Sequence, residues 1–276
     1  MALKKRGGAV TDEMGDEAGG DRQFVTALSR GLDILRCFEP TDGPLGNADL
    51  AQRCGLPKAT VSRLTYTLAK LGYLDYLPDS GKYRMGVAVL GLGYACLGGL
   101  KIRETAQPYL QALADHAGDG VLTALAGRDD LSMVYIACAR APGMVSLQQD
   151  VGSRLSLGRS SIGRAYLAAL DQPTRAPLME RLRQRAGDEF WPMVERGILR
   201  SAEEIRARGF CLNVGEWVQG VNSVAVPLRP TQPGQPPLAF NCGGPSYLLT
   251  PERLERELGP RLVELANRVA LVGRAV

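Results

Sequence analysis

The stretch that most restricts how this chain can fold runs from Leu56 to Leu71, LPKATVSRLTYTLAKL. Pro57 suits the first turn of a helix, where its missing N–H breaks no bond. Beyond it Val61, Leu64, Leu68 and Leu71 recur at steps of three and four, one apolar stripe at helical period. Lys58, Ser62, Arg63, Thr65, Tyr66 and Lys70 lie off that stripe. No Asp or Glu occurs between Asp49 and Asp75, whereas Arg53, Lys58, Arg63 and Lys70 do. A helix held by one face, with a short polar and cationic opposite face, suits insertion beside phosphates in a DNA major groove.

The flanks supply matching parts. Asn47 to Cys54 reads as a helix with Asn47 as its N-cap, Leu50, Ala51 and Cys54 as its buried side and Gly55 as its stop. Upstream, Leu28, Leu32, Leu35 and Phe38 give Phe24 to Phe38 a helical pattern closed by Pro40 and Gly43. This first helix is expected to pack behind the other two. Downstream, Tyr73 to Met85 reads as a β-hairpin turning at Pro78-Asp79-Ser80-Gly81. Three helices and a hairpin in this order make a winged helix-turn-helix over residues 22–86. Lys58, Ala59, Thr60, Ser62, Arg63, Thr65 and Tyr66 are its expected DNA-facing residues, with Lys82 and Arg84 on the wing beside phosphate.

Residues 1–21 combine Lys4-Lys5-Arg6 with a Gly-rich acidic stretch and read as a disordered tail. Met85 to Leu100 is nearly all apolar or glycine. It falls short of the ~20 residues that a membrane span needs and is interrupted by Gly86, Gly91, Gly93, Gly98 and Gly99. A linker helix over 87–101, buried on most sides as between two protomers, fits better. Gly91-x-Gly93 follows no strand and lacks a third glycine, so it is no nucleotide loop.

From residue 102 to 276 the pattern changes. An amphipathic helix through Ala117 precedes strands at Val121–Ala126, Leu131–Ala139 and near Val145-Ser146-Leu147. Helices follow at Ser161–Leu170 and Pro177–Arg185, then a short one opened by the capping box Ser201-Ala202-Glu203-Glu204. Strands at Phe210–Val214, Val221–Pro227 and Leu238–Cys242 precede a closing helix from Thr250-Pro251. Strands in a run with helices at both ends make an α+β domain on a mainly antiparallel sheet.

Chemistry is sparse. Gly158-Arg159-Ser160-Ser161-Ile162-Gly163 joins an extended segment to a helix N-terminus. It offers N–H groups and hydroxyls to a carboxylate, or Ser160 or Ser161 simply caps the helix. An esterase reading fails, because position 162 is Ile and His116 is the only histidine available as base. Asn213 and Glu216 either line a pocket or satisfy a bend. The six cysteines form no close pair, so no metal site or redox motif is expected, and no cofactor. Without a signal peptide, reduced thiols in the cytoplasm are the plain reading. The net charge of +4 over 276 residues is too small to argue nucleic-acid binding without the local distribution.

Four segments together resemble the isocitrate-lyase-regulator (IclR) family of bacterial transcription factors. They are Ala51-Gln52-Arg53-Cys54-Gly55-Leu56-Pro57-Lys58-Ala59-Thr60-Val61-Ser62-Arg63-Leu64, Val151-Gly152-Ser153-Arg154-Leu155 through Gly163-Arg164-Ala165, Arg208-Gly209-Phe210 through Pro227, and Gly244-Pro245. The opening Phe24 to Leu32 and the run Thr67 to Leu74 look most like the aromatic-catabolism branch. The resemblance implies a C-terminal domain similar to GAF domains that binds a small organic acid, and homodimers or dimers of dimers on near-palindromic operator DNA. Carried over by position, the family's pocket falls on Met144, Leu147, Leu155, Ser161, Ile162, Asn213, Val221, Ser223, Asn241 and Gly243, with Ser160 beside them. That lining is short of charge and suits an aromatic or short aliphatic carboxylate. The reading from another class is a small-molecule carrier or enzyme whose N-terminal domain binds protein; the acid-free face of residues 53–70 and the missing catalytic constellation speak against it.

Overall fold

The computed structural model describes residues 23–39, 41–141, 148–229 and 234–272. The expected tail over 1–21, the expected strand near 145–147 and the pocket positions Met144 and Leu147 lie outside them. The chain divides into two compact units, residues 1–99 and 100–276.

In the first unit, α1 (Thr26–Arg36), α2 (Asn47–Cys54) and α3 (Lys58–Lys70) precede a hairpin of β1 (Leu74–Leu77) and β2 (Lys82–Met85), then α4 (Ala88–Gly99). The core is small: Ile34, Leu45, Leu50, Val61, Leu74 and Tyr83. α2 ends at Gly55, whose φ of +66° is the left-handed conformation that opens a tight turn without a Cβ penalty. The hairpin is antiparallel with Leu77 facing Lys82. Leu45 pairs with Tyr83 by two backbone bonds of 2.8 and 2.9 Å, a short third edge to the wing. The wing's root also requires a glycine, since a Cβ on Gly86 would lie 2.1 Å from the Gly72 carbonyl oxygen.

Three expectations for this unit need correction. Asn47 is the first residue of α2 rather than its cap, and the cap position belongs to Gly46, whose N–H donates to the Asp49 carboxylate at 2.9 Å. The stripe Leu28–Leu32 is exposed, because α1 turns Gly31 and Ile34 inward instead. Leu71 is 62% exposed, having passed the last helical turn. The expectation of burial between two protomers is a separate matter: within the single chain no residue of α4 is buried, and Leu90, Leu92 and Tyr94 stand exposed on it.

The second unit is a six-stranded antiparallel sheet with helices on both faces. In chain order it holds α5 (Lys101–Ala117), β3 (Leu122–Asp129), β4 (Ser132–Arg140), β5 (Arg154–Ser156), α6 (Ser161–Ala169) and α7 (Gln172–Arg208). There follow β6 (Cys211–Val214), β7 (Val221–Leu228), β8 (Leu238–Pro245), α8 (Pro251–Arg253), a π-helical turn (Leu254–Leu258) and α9 (Gly259–Val272). The strand order is β5-β4-β3-β8-β7-β6. One sheet face packs Leu125, Val224, Val226 and Phe240 against Leu110 of α5 and Leu262 of α9. The other packs Leu122, Ala124, Ala225 and Ala239 against Ile162 of α6 and Leu182, Val194 and Ile198 of α7.

α7 departs from its expected form. It runs through Pro177 and Pro192 and breaks only at Gly187, where φ is +72° and ψ 160°. Ser201 is therefore no cap; it lies fully buried inside the helix. The π turn lets the closing helix approach the sheet, with Gly259 leaving room for the Phe210 ring that a Cβ would meet at 2.6 Å.

Candidate nucleic-acid interface and ligand site

On α3 the exposed side chains fall into two adjacent rows. Lys58, Ser62, Tyr66 and Lys70 step by four along one, Ala59, Arg63 and Thr67 along the other, and Thr60 is half-buried beside them. The Lys70 Nζ sits 5.5 Å from the Tyr66 ring centroid, which holds this tyrosine and a cation together at the helix end. Thr67 and Lys70 share the face but were not among the residues assigned to DNA from sequence; their helical offsets are the signal that would have included them.

Thr65 is removed from the DNA-facing set. It is fully buried, and its hydroxyl lies 2.9 Å from the Val61 carbonyl oxygen and 3.0 Å from Asn47 Oδ1. It joins the middle of α3 to the first turn of α2 and so fixes the angle at which the exposed rows are presented. Arg53 leaves the cationic face as well. It donates to both carboxylate oxygens of Asp42 and, at 2.8 Å, to the Cys37 carbonyl. The bond to Asp42 raises its pKa. The face's cations are thus Lys58, Arg63 and Lys70.

On the wing, Asp75 opposes Arg84 across the strands, and Arg84 Nε donates to it at 3.1 Å. Half of the wing's expected charge is therefore locally neutralised. Lys82 is exposed at the turn end of β2, with no carboxylate partner among the described residues. The rings of Tyr76 and Tyr83, paired across the strands, meet at a 49° tilt with centroids 5.1 Å apart, stiffening the hairpin.

In the second unit, strand register gathers the ligand candidates. Asn213, Ser223, Gly243 and Leu122 form one cross-strand row, and Cys211, Ala225, Asn241 and Ala124 the next. Both rows face α6, where Ser161 Oγ lies 2.8 Å from Ser223 Oγ and Ile162 is fully buried. The approach at Gly243 is tight, since a Cβ there would sit 3.2 Å from that of Ser223. Val221 opens β7 on the same face, half-buried. Leu155 is buried but lies on edge strand β5, with β4, β3 and β8 between it and Ser223.

Two of the expected ligand groups are committed elsewhere. Ser160 caps α6, accepting from Gly163 N–H at 3.2 Å and donating to the Ser156 carbonyl at 2.7 Å. Asn213 braces the loop after β6: its Nδ2 donates to the Arg159 carbonyl at 2.8 Å and its Oδ1 accepts from Trp217 N–H at 3.0 Å. Asn241 differs. Its Nδ2 donates to the Tyr135 hydroxyl at 3.1 Å, while its Oδ1 is buried with no partner among the described residues. Tyr135 is nearly fully buried, and burial raises its phenol well above the ordinary value, an effect that the Asn241 bond opposes. It was missed from sequence, where only strand alternation marked it.

An ion cluster built on the buried Arg164 borders the site. Arg164 is 2% exposed, donates to the Gly158 carbonyl at 3.0 Å and pairs with Glu216 at 2.8 Å. Its guanidinium fills the space above Gly197, where a Cβ would lie 2.2 Å from Nη2. Arg200 bonds the other Glu216 oxygen. Burial works to raise the Glu216 carboxyl, but the two guanidiniums outweigh it and hold it below the ordinary value. Arg159 adds bonds of 3.3 Å to the carbonyls of Glu216 and Trp217. Three arginines thus tie the loop after β6 to α6 and α7. An arginine within the otherwise small and apolar Ser161–Ala169 helix was the available sequence signal.

Among the described residues no group of three or more His, Cys, Asp or Glu could hold a metal ion, and no helix is long and apolar enough to cross a membrane. His116 bonds Glu257 at 2.8 Å on the surface of the second unit, away from the two rows.

Comparison with known proteins agrees with this architecture. Residues 27–78 match the model of the IclR helix-turn-helix domain, and residues 94–271 that of the bacterial transcriptional regulator IclR C-terminal domain. The HTH-type transcriptional regulator TsaQ1/TsaQ2 of Comamonas testosteroni is 35% identical over 255 residues, covering 91% of this chain and 90% of its own. The Pca regulon regulatory protein of Pseudomonas putida is 31% identical over 245 residues, covering 88% and 82%. The crystal structure of an IclR family transcriptional regulator from Brucella abortus superposes with a TM-score of 0.82 at 45% identity, covering 95% of each chain.

Proposed function

The chain belongs to the IclR family of bacterial transcriptional regulators, and on that premise we propose how this DNA-binding regulator divides its work. Residues 58–70 read one half of a near-palindromic operator in the major groove, and the unit of residues 100–276 binds a small organic acid that alters DNA binding. Residues 87–101 serve as the linker between the two tasks. The observation that carries the reading is the pair of exposed rows on α3, with Lys58, Arg63 and Lys70 and no acidic residue.

Two such helices are needed for a near-palindrome, and the first unit supports pairing with a second copy. α4 carries no charge and exposes Leu90 by 72% and Tyr94 by 78%, while α1 exposes Leu28 by 63%. Apolar faces of that kind on a soluble regulator are expected to be covered. The role is that of a regulator and not an enzyme, working in the cytoplasm where its DNA is.

Arg63 is the residue assigned to a base edge, where a bidentate contact to guanine is worth about 1–3 kcal/mol of discrimination. Arg63→Ala is expected to lose most of the preference for the DNA upstream of its own gene over random DNA of equal length. A fluorescence anisotropy titration measures both; an unchanged ratio rules out this role.

A further inference from the structure

We infer that Cys37 and Cys54 form a dithiol that hydrogen peroxide converts to a disulfide, tying the end of α1 to the end of α2 and costing the protein its preference for operator DNA. The two are separate in sequence but share one place in the fold. Cys37 is the C-cap of α1 and Cys54 the last residue of α2, and both pack, half-buried, against the small core of the first unit. Arg53, next to Cys54, reaches the Cys37 carbonyl at 2.8 Å, so the two helix ends are already fastened side by side. The Cys54 thiol lies within hydrogen-bonding reach of the Cys37 sulfur. Of the other cysteines, Cys96 is on α4, and Cys138, Cys211 and Cys242 belong to the second unit.

The bonds that oxidation would forfeit are weak. Cys37 Sγ donates to the Asp33 carbonyl at 3.2 Å and Cys54 Sγ to the Leu50 carbonyl at 2.8 Å, each within its own helix. Half-burial admits a small peroxide more readily than a bulky disulfide. The Cys54 thiolate attacks one peroxide oxygen; an S–O bond forms, the O–O bond breaks, and the departing hydroxide takes up the Cys54 proton as water. The Cys37 sulfur then attacks the Cys54 sulfenic acid, an S–S bond forms, and the hydroxyl leaves with the Cys37 proton as a second water. Two thiols are oxidised and one peroxide is reduced. Burial, and next the Cys54 sulfur, push the Cys37 thiol up to about 12. Its thiolate is therefore scarce at neutral pH, and the pair answers sustained exposure and not a brief pulse.

The consequence for DNA rests on α3 being the groove-facing helix. A disulfide draws the sulfurs to about 2.05 Å, closer than two thiols in contact. That movement falls on Cys54, one residue before the left-handed turn at Gly55 that aims α3. The start of α2 is meanwhile pinned to α3 by the Thr65 and Asn47 side chains at 3.0 Å. Pulled at one end and held at the other, α2 tilts, and the exposed rows of α3 lose their setting.

The test treats full-length protein with hydrogen peroxide, blocks the remaining thiols with iodoacetamide and digests with trypsin. Cleavage after Arg36, Arg53 and Lys58 puts Cys37 and Cys54 on separate peptides, 37–53 and 54–58, which only a disulfide joins. The linked pair is expected in oxidised protein and absent after dithiothreitol. Preference for the DNA upstream of its own gene over random DNA should be lost with the link and regained with its reduction. Cys37→Ala and, separately, Cys54→Ala should keep that preference under the same peroxide. Unlinked peptides in the oxidised protein overturn the inference, as does a link that leaves the preference unchanged, or a loss that both variants share with wild type. A reduced protein with no operator preference fails the DNA reading instead, and the linked peptides alone then decide the dithiol.

Discussion

Glu216→Gln gives the sharpest test of how the sensing unit is held together. The substitution keeps the side chain's shape but removes the charge that faces both Arg164 and Arg200. Arg164 is 2% exposed and bonds Glu216 at 2.8 Å, so its guanidinium would stay buried without a counter-charge. Two unit charges ~4 Å apart interact by about 4 kcal/mol at an effective dielectric constant of about 20. Water reaches Glu216, whose side chain is 31% exposed, and Arg200, at 50%. Breaking a buried pair by removing one partner costs about 3–5 kcal/mol, and the exposure places this case at the low end, about 3. In a unit of this size that lowers the unfolding midpoint by about 6–12 °C. Both tryptophans, Trp191 and Trp217, lie in the second unit, so their fluorescence follows its unfolding alone. The pH dependence adds a second check. The folded carboxyl lies below its ordinary 4.5, so its stabilisation is complete above that value and is lost as pH falls through the depressed one. The gap between wild type and variant should be full at neutral pH and close as the pH falls from 4.5 through the depressed value. A midpoint change under about 3 °C, which is about 1 kcal/mol here, or a gap that persists undiminished in acid, would refute the reasoning.

Lys82→Ala should weaken specific and random DNA alike and flatten the salt dependence of binding by about one unit of slope, read from titrations at several salt concentrations; an unchanged slope means the wing does not reach phosphate. Gly86→Ala forces a Cβ to within 2.1 Å of the Gly72 carbonyl oxygen. It should destabilise the first unit by about 2–3 kcal/mol while the tryptophan-monitored transition stays put; hydrogen exchange of the wing amides measures it. Thr65→Val keeps the buried volume but loses the hydroxyl between Val61 and Asn47, an expected cost of about 1 kcal/mol in urea unfolding. Because it loosens α3 on α2, operator preference should fall more than random-DNA affinity, and an equal fall in both would leave Thr65 a purely local bond.

The parts legible in the sequence were those set by neighbours along the chain. Gly55 with Pro57 marked the turn between α2 and α3, and Pro78 to Gly81 marked the hairpin, because backbone requirements at turns are local. Long-range pairing was not legible. β3 lies beside β8, which is more than a hundred residues away, and nothing in either strand names the other. Polar residues were the other blind spot. Thr65 reads as surface until one sees its hydroxyl satisfied by Val61 and Asn47, and Arg53 reads as a free cation until Asp42 comes to meet it. In the second unit position alone could not separate Asn213, whose amide is spent at both ends, from Asn241, which keeps one end open. The stripe on α1 was misjudged for a related reason: Leu28 and Leu32 fit a helical period, but period does not say whether the covering surface belongs to the same chain.

The placement of the cysteines has a practical consequence. Cys211 and Cys242 are fully buried and their thiols pushed up to about 12, while Cys37 and Cys138, half-buried, are pushed equally far. Cys96 alone of the six stands exposed, on α4 among apolar neighbours. The chain thus carries its own stopwatch. With a maleimide reagent, the fast phase of labelling belongs to Cys96, and if two copies pair through α4 as proposed, its rate should rise as the protein is diluted, with no engineered label and no DNA or effector in hand.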